Sequence, residues 1–124
     1  MYKLIGLLKR RPGMSREDFI RYYETNHRRI GEKYLSGYAV RYMRRFLDPL
    51  PNPLDGSRSE PEFDVIMEIW FPDQATCEAA LGRMTDPAIT AEIAEDEEQL
   101  FDRARNRFFT VEEHVSELPP PAGN

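Results

Sequence analysis

The sequence predicts a ferredoxin-like α+β fold with the element order β-α-β-β-α-β, and three observations predict it. A short apolar run at the N-terminus stops sharply at a Pro-Gly turn before an amphipathic helix. Two further strand-like segments are then followed by a second helical region and a last strand. The third strand, Phe63 to Phe71, is apolar on both faces, and a sheet of that kind needs cover on both sides.

The first strand spans Tyr2 to Lys9 and is closed by Arg10-Arg11-Pro12-Gly13. Ser15 opens the first helix, with Asp18 three residues later as an acidic capping box. Phe19, Tyr22, Tyr23, Asn26, His27, Ile30 and Tyr34 recur at spacings of three and four, which predicts one aromatic-apolar stripe facing the sheet. A second strand is expected over Gly37 to Phe46, where Tyr38, Val40 and Tyr42 alternate with Ala39, Arg41 and Met43. Residues 48–61 carry four prolines and Gly56, and so form a long loop.

In the third strand Phe63, Val65, Met67, Ile69 and Phe71 point one way, and Asp64, Ile66, Glu68 and Trp70 the other. Asp73 caps a second helix that runs to about Thr85, burying Ala80, Leu81 and Met84 and ending at Asp86-Pro87. Short helical pieces follow through Ile89, Ile93, Leu100 and Phe101, then a last strand from Phe108 to Val115. A domain of residues 1–115 therefore precedes a Pro-rich tail, 116–124, with an extended conformation. The exposed second face of the sheet is expected to meet a copy of itself, giving a homodimeric α+β barrel.

Composition narrows the function. The 124 residues suit a single domain, and 17 Lys and Arg against 22 Asp and Glu give a net charge of -5. That balance argues against nucleic acid as the main partner. One cysteine, Cys77, excludes an internal disulfide and fits a reducing compartment. No apolar run approaches the ~20 residues of a membrane span, and the N-terminus lacks the charged flank of a secretion signal. The expectation is a soluble, cytoplasmic protein with no membrane partner. Two histidines in distant elements, without His-x-Glu or Cys-x-x-Cys spacing, point to no metal.

His27 is the sharpest chemical candidate. It lies on the inward stripe one turn after Tyr23, and an imidazole in a partly apolar cavity suits proton transfer near neutrality. On position alone, a packing histidine satisfied by a neighbouring hydroxyl is the plainer reading. Tyr23 offers a hydroxyl to a substrate oxygen and a ring to a planar substrate. Phe19, Tyr22, Asp64 and Trp70 complete the expected substrate-contacting set. Asp64 and Glu68 share a strand face with Trp70; under the helices they would be desolvated acids, and on the open face they would pair with Arg41, Arg44 or Arg45. His114, beside the tail, is expected at an exposed rim, and Cys77 as a packing thiol.

The segment Leu7-Leu8-Lys9-Arg10-Arg11-Pro12-Gly13-Met14-Ser15-Arg16-Glu17-Asp18-Phe19, continued by Tyr22-Tyr23-Glu24 and His27, resembles the start of the EthD domains. Asp86-Pro87, Asp96-Glu97 with Phe101-Asp102, and Phe109-Thr110-Val111-Glu112-Glu113 fit the same family. The resemblance implies a dimeric α+β barrel with a ligand cavity between sheet and helices, acting on small organic compounds without metal or organic cofactor. It tips His27 toward catalysis and makes Asp96 its partner, holding its tautomer. Tyr23 stands where a Trp is common, and Arg28-Arg29 replaces small or Pro-containing sequence. The function expected is cofactor-free acid–base chemistry on a hydrophobic ring-containing carbonyl or phenolic compound: dehydration, cyclisation, isomerisation or decarboxylation. Two alternatives are an oxygenase of the same fold, cofactorless or haem-dependent, and a non-catalytic small-ligand-binding protein.

Overall fold

The computed structural model describes residues 1–123, and Asn124, the last residue of the expected tail, lies outside them. Strand β1 (Tyr2–Leu8) is central. It pairs antiparallel with β3 (Val65–Phe71), from Tyr2 opposite Phe71 to Leu8 opposite Val65, and with β4 (Arg107–Thr110) on its other edge. Strand β2 (Arg41–Phe46) pairs antiparallel with β3, giving the sheet order β2-β3-β1-β4. Four antiparallel strands in this order, covered by helices on one face, make the ferredoxin-like α+β fold that the element order predicts.

The helical layer begins where the capping residues place it. Ser15 Oγ accepts the Asp18 N–H at 3.1 Å, and helix α1 runs over Arg16–Tyr22. A π-helical turn, Tyr23–His27, joins it without a break to α2 (Arg28–Leu35). Helix α3 (Gln74–Arg83) starts at Asp73, whose carboxylate accepts the Thr76 N–H at 2.8 Å.

Several boundaries differ from the sequence-based expectation, each for a local reason. Tyr38 and Ala39 donate their N–H groups to Leu35 O and close the first helix. Gly37 meanwhile turns the chain at φ 88°, so β2 starts at Arg41 and not at Gly37. The pieces expected after Asp86-Pro87 are one helix, α4 (Pro87–Glu97). Asp86 accepts the Ala88 N–H and Pro87 fills the first turn, so the dipeptide starts a helix as well as ending one. Strand β4 stops at Thr110, where its pairing with β1 ends at Leu4.

The core lies between the sheet and the helices. Phe19, Tyr23, Val65, Phe71, Cys77, Ala80 and Leu100 are essentially inaccessible. Cys77 is the packing thiol expected, and its burial raises its pKa. Leu81, expected in the core, is 45% exposed, because it stands at the rim of the cavity described below. No helix among the described residues is long and apolar enough to cross a membrane.

The other face of the sheet carries Ile5, Leu7, Met43, Ile66 and Trp70, all half-buried. Lys3 Nζ lies 3.8 Å from the centre of the Trp70 ring and the Arg41 guanidinium 4.9 Å from it. Glu68 pairs with Arg45 and accepts the Trp70 Nε1–H at 3.1 Å.

Candidate active site

Helix α1 and the π-helical turn deliver the aromatic residues of the site. Phe19 and Tyr23 sit one turn apart, both 1% exposed, with ring centres 5.9 Å apart in edge-to-face contact. Tyr23 in turn packs edge-on against Phe46 (5.5 Å), Phe101 (5.7 Å) and the His27 imidazole (5.0 Å). The turn between Tyr23 and His27 is wide because the Arg28 N–H reaches back five residues to Tyr23 O, a geometry often found at functional sites. Its extra residue pushes Asn26 into water. The expected stripe, drawn at α-helical spacing, included Asn26; the wider turn is the reason it does not belong.

Between this helix and the sheet lies a cavity of about 200 Å³. Its wall is mostly apolar, with Leu4, Leu8, Ile30, Met67, Ile69 and Phe101 among its residues; the polar atoms come from Tyr23, His27, Tyr34, Tyr42 and Glu97. Gly31 makes room for one of these, since a Cβ there would lie 2.8 Å from the Tyr42 hydroxyl and ring edge. Burial raises the pKa of the Tyr23 and Tyr42 phenols, Tyr23 well above its ordinary value. Both remain neutral hydroxyls at physiological pH.

Asp96, near the end of α4, bridges the two sides. Its Oδ2 accepts the His27 Nδ1–H at 2.8 Å, and its Oδ1 accepts the Tyr22 hydroxyl at 2.7 Å. The imidazole and carboxylate side chains are only 13% and 10% exposed. Tyr22 is pushed up to about 12 by burial first and then by Asp96, whose charge its anion would face. With Nδ1–H donated to a carboxylate, the lone pair of His27 Nε2 is left to accept a proton.

Four of the seven expected residues thus meet: His27, Tyr23, Asp96 and Tyr22. Tyr22 touches Asp96 and does not line this cavity. Phe19 lies behind Tyr23 in the core and does not reach the cavity. Asp64 and Trp70 are corrections. Trp70 is on the open face of the sheet, because alternate residues of β3 point away from the helices. Asp64, 6% exposed, accepts the Arg10 N–H at 2.7 Å and pairs with Lys9 at 3.4 Å. Lys9 also holds Glu60 and Pro61 O, so Asp64 fastens the end of the Pro-rich loop to β1.

The sequence-based reading missed Tyr42, Phe101 and Glu97. For Glu97 a signal existed: Ile89, Ile93, Glu97 and Phe101 are spaced by four, which puts the carboxyl on the apolar face of α4. Among the described residues no group of His, Cys, Asp and Glu is arranged to hold a metal ion.

Comparison with known proteins agrees with this architecture. The model of the EthD domain matches residues 11–104. Among solved structures, the chain is similar to At3g17210 from Arabidopsis thaliana, with 14% identity, a TM-score of 0.59, and 95% of this chain and 100% of that one covered. It is also similar to an antibiotic biosynthesis monooxygenase, at 15% identity and TM-score 0.54, with 93% and 100% covered. A third similar structure is HapK from Hahella chejuensis, at 10% identity and TM-score 0.54, with 97% and 99% covered. At these identities the likeness is one of fold. No curated protein matches the sequence.

Proposed function

Because this chain belongs to the EthD domain family and holds a mostly apolar cavity between helix and sheet, we propose that it is a cofactor-free enzyme of proton-transfer chemistry. Its substrate is a small, hydrophobic ring-containing carbonyl or phenolic compound, and its reactions are of the dehydration, cyclisation, isomerisation or decarboxylation type. The observation that carries this reading is the His27–Asp96 pair at the cavity wall, with Nδ1 engaged at 2.8 Å. His27 Nε2 acts as general base. Asp96 fixes the tautomer and stabilises the imidazolium that forms, and Tyr22 holds Asp96 in place. Tyr23 orients the substrate oxygen.

The cavity supports the substrate class. An apolar protein cavity of ~150 Å³ accommodates benzene, so about 200 Å³ admits one ring with a short substituent.

Deuterium exchange at the α-carbon of acetophenone, a monocyclic ketone, followed by NMR in heavy water, tests the reading. The wild type is expected to accelerate exchange, and His27→Asn to lose about 10²- to 10⁴-fold of that rate. Equal rates for the two proteins would overturn the base assignment. No acceleration by either would favour a binding protein.

A further inference from the structure

Resting on that reading, we propose that Glu97 is a second catalytic residue of the cavity: the general acid that works with His27 as base. Three structural observations lead there. Glu97 lines the same, mostly apolar cavity as His27. It sits next to Asp96 in sequence, but Asp96, held by His27 and Tyr22, does not line the cavity, whereas Glu97 does. No hydrogen bond or ion pair among the described residues holds its carboxyl, whereas its neighbours Asp96 and Glu98 both have partners. A half-buried carboxyl with no structural bond is poorly explained as a packing group, because packing would favour Leu or Gln there.

Its surroundings favour the protonated form. Burial raises the Glu97 pKa, and the adjacent Asp96 charge raises it further; His27 and the Arg103 guanidinium act in the opposite direction. The remaining titratable groups of the cavity, Tyr23, Tyr34 and Tyr42, are phenols. A carboxyl whose surroundings favour its protonated form, in the same cavity as an imidazole with a free nitrogen lone pair, supplies one group to give a proton and one to take it.

The chemistry balances without any co-reactant. In enolisation, His27 Nε2 takes the proton from the α-carbon and the C–H electron pair becomes the new C=C bond. The carbonyl π pair moves to oxygen, which receives the Glu97 proton. In dehydration the same pair acts on a β-hydroxy ketone: His27 removes the α-proton, the C–O bond breaks, and the hydroxyl leaves as water with the proton from Glu97. Transfer of a proton from imidazolium to carboxylate then restores both groups.

Carbon-13 NMR of protein labelled at the Glu side-chain carboxyl tests this, with Glu97→Gln identifying the resonance. The expected midpoint lies above those of the other glutamates and rises further in His27→Asn, which removes the opposing cation. In the acetophenone assay, Glu97→Gln should slow exchange at least tenfold while leaving the fold intact, and Glu97→Asp should recover part of the rate. A Glu97 midpoint among the exposed glutamates, unmoved by His27→Asn, would overturn the proposal. So would full exchange activity in Glu97→Gln where His27→Asn is inactive, and that result would leave His27 standing as base. If His27→Asn matches wild type, the underlying reading fails, and the carboxyl titration still decides whether Glu97 stands protonated.

Discussion

The linkage from His27 through Asp96 to Tyr22 can be measured without a substrate. Replacing Asp96 by Ala removes the acceptor of two hydrogen bonds, at 2.8 and 2.7 Å, and strands two donors. A buried donor left unpaired costs ~1–3 kcal/mol. The imidazole retains some access to water, at 13% exposure, so the lower half of that range applies to each. The sum is about 2–4 kcal/mol of lost stability for Asp96→Ala. The pairwise share of the His27 contact follows from a cycle of His27→Ala, Asp96→Ala and the double variant, with an expected coupling of ~1–2 kcal/mol. Urea unfolding at neutral pH, with equal slopes across the four proteins, provides the free energies. A coupling below ~0.5 kcal/mol, the limit for independent sites, would mean that Asp96 does not hold the imidazole, and the catalytic assignment would lose its orienting group.

Three further outcomes follow from the geometry. Gly31→Ala gains up to about 1 kcal/mol in helix propensity but drives a Cβ to 2.8 Å from Tyr42, so we expect a net loss of ~1–2 kcal/mol in thermal unfolding; a stabilised variant would show that the cavity wall yields freely. Ultraviolet titration should place one tyrosine, absent in Tyr22→Phe, near pH 12. Its pKa should fall in Asp96→Asn, since the carboxylate disfavours the phenolate; an unchanged midpoint would contradict the bond. On the open sheet face, the half-buried Ile5, Leu7, Met43 and Ile66 lead us to propose a two-fold homodimer, and light scattering that returns the 14.5 kDa monomer at micromolar concentration would rule it out.

The sheet and its inward residues were legible in the sequence because strand alternation is a local property. Val65, Met67, Ile69 and Phe71 follow it, Phe63 falls outside it because β3 begins only at Val65, and the caps Ser15 and Asp73 each start the helix expected. His27 and Tyr23 were legible because both lie on one helical stripe. What alternation cannot state is which face the helices cover, and Trp70 was therefore assigned to the cavity from the wrong side of β3. Glu97 was lost inside Asp96-Glu97-Glu98, a run that reads as solvated unless it is projected with Ile93 and Phe101. The π-helical turn has no signature in residue type here. It shows only once the Arg28 N–H is seen to reach Tyr23 O.

Helix α4 explains why chemistry and local stability are tied together in this protein. None of its residues is fully buried, so apolar packing alone holds it weakly. The contacts that fasten it are polar: Asp96 to His27 and Tyr22, Glu92 to the Tyr34 hydroxyl, and Glu92 to Lys33 at 3.3 Å. The last of these is exposed, at 59% and 37%, and contributes little. The groups that orient the His27 imidazole are therefore also groups that dock the helix carrying Glu97. Segments held this way open locally at a free energy below that of global unfolding. Removing the His27–Asp96 bond, at ~1.4 kcal/mol per tenfold change in equilibrium, should raise amide hydrogen exchange in α4 roughly tenfold. Exchange in β1 and β3, whose protection depends on global unfolding, should change only with overall stability. His114→Ala, whose ring among the described residues meets only the exposed Glu112, serves as the control and should leave α4 unchanged. If His27→Ala accelerates β3 and α4 by the same factor, α4 is not a separate opening unit, and its docking does not depend on the imidazole contact.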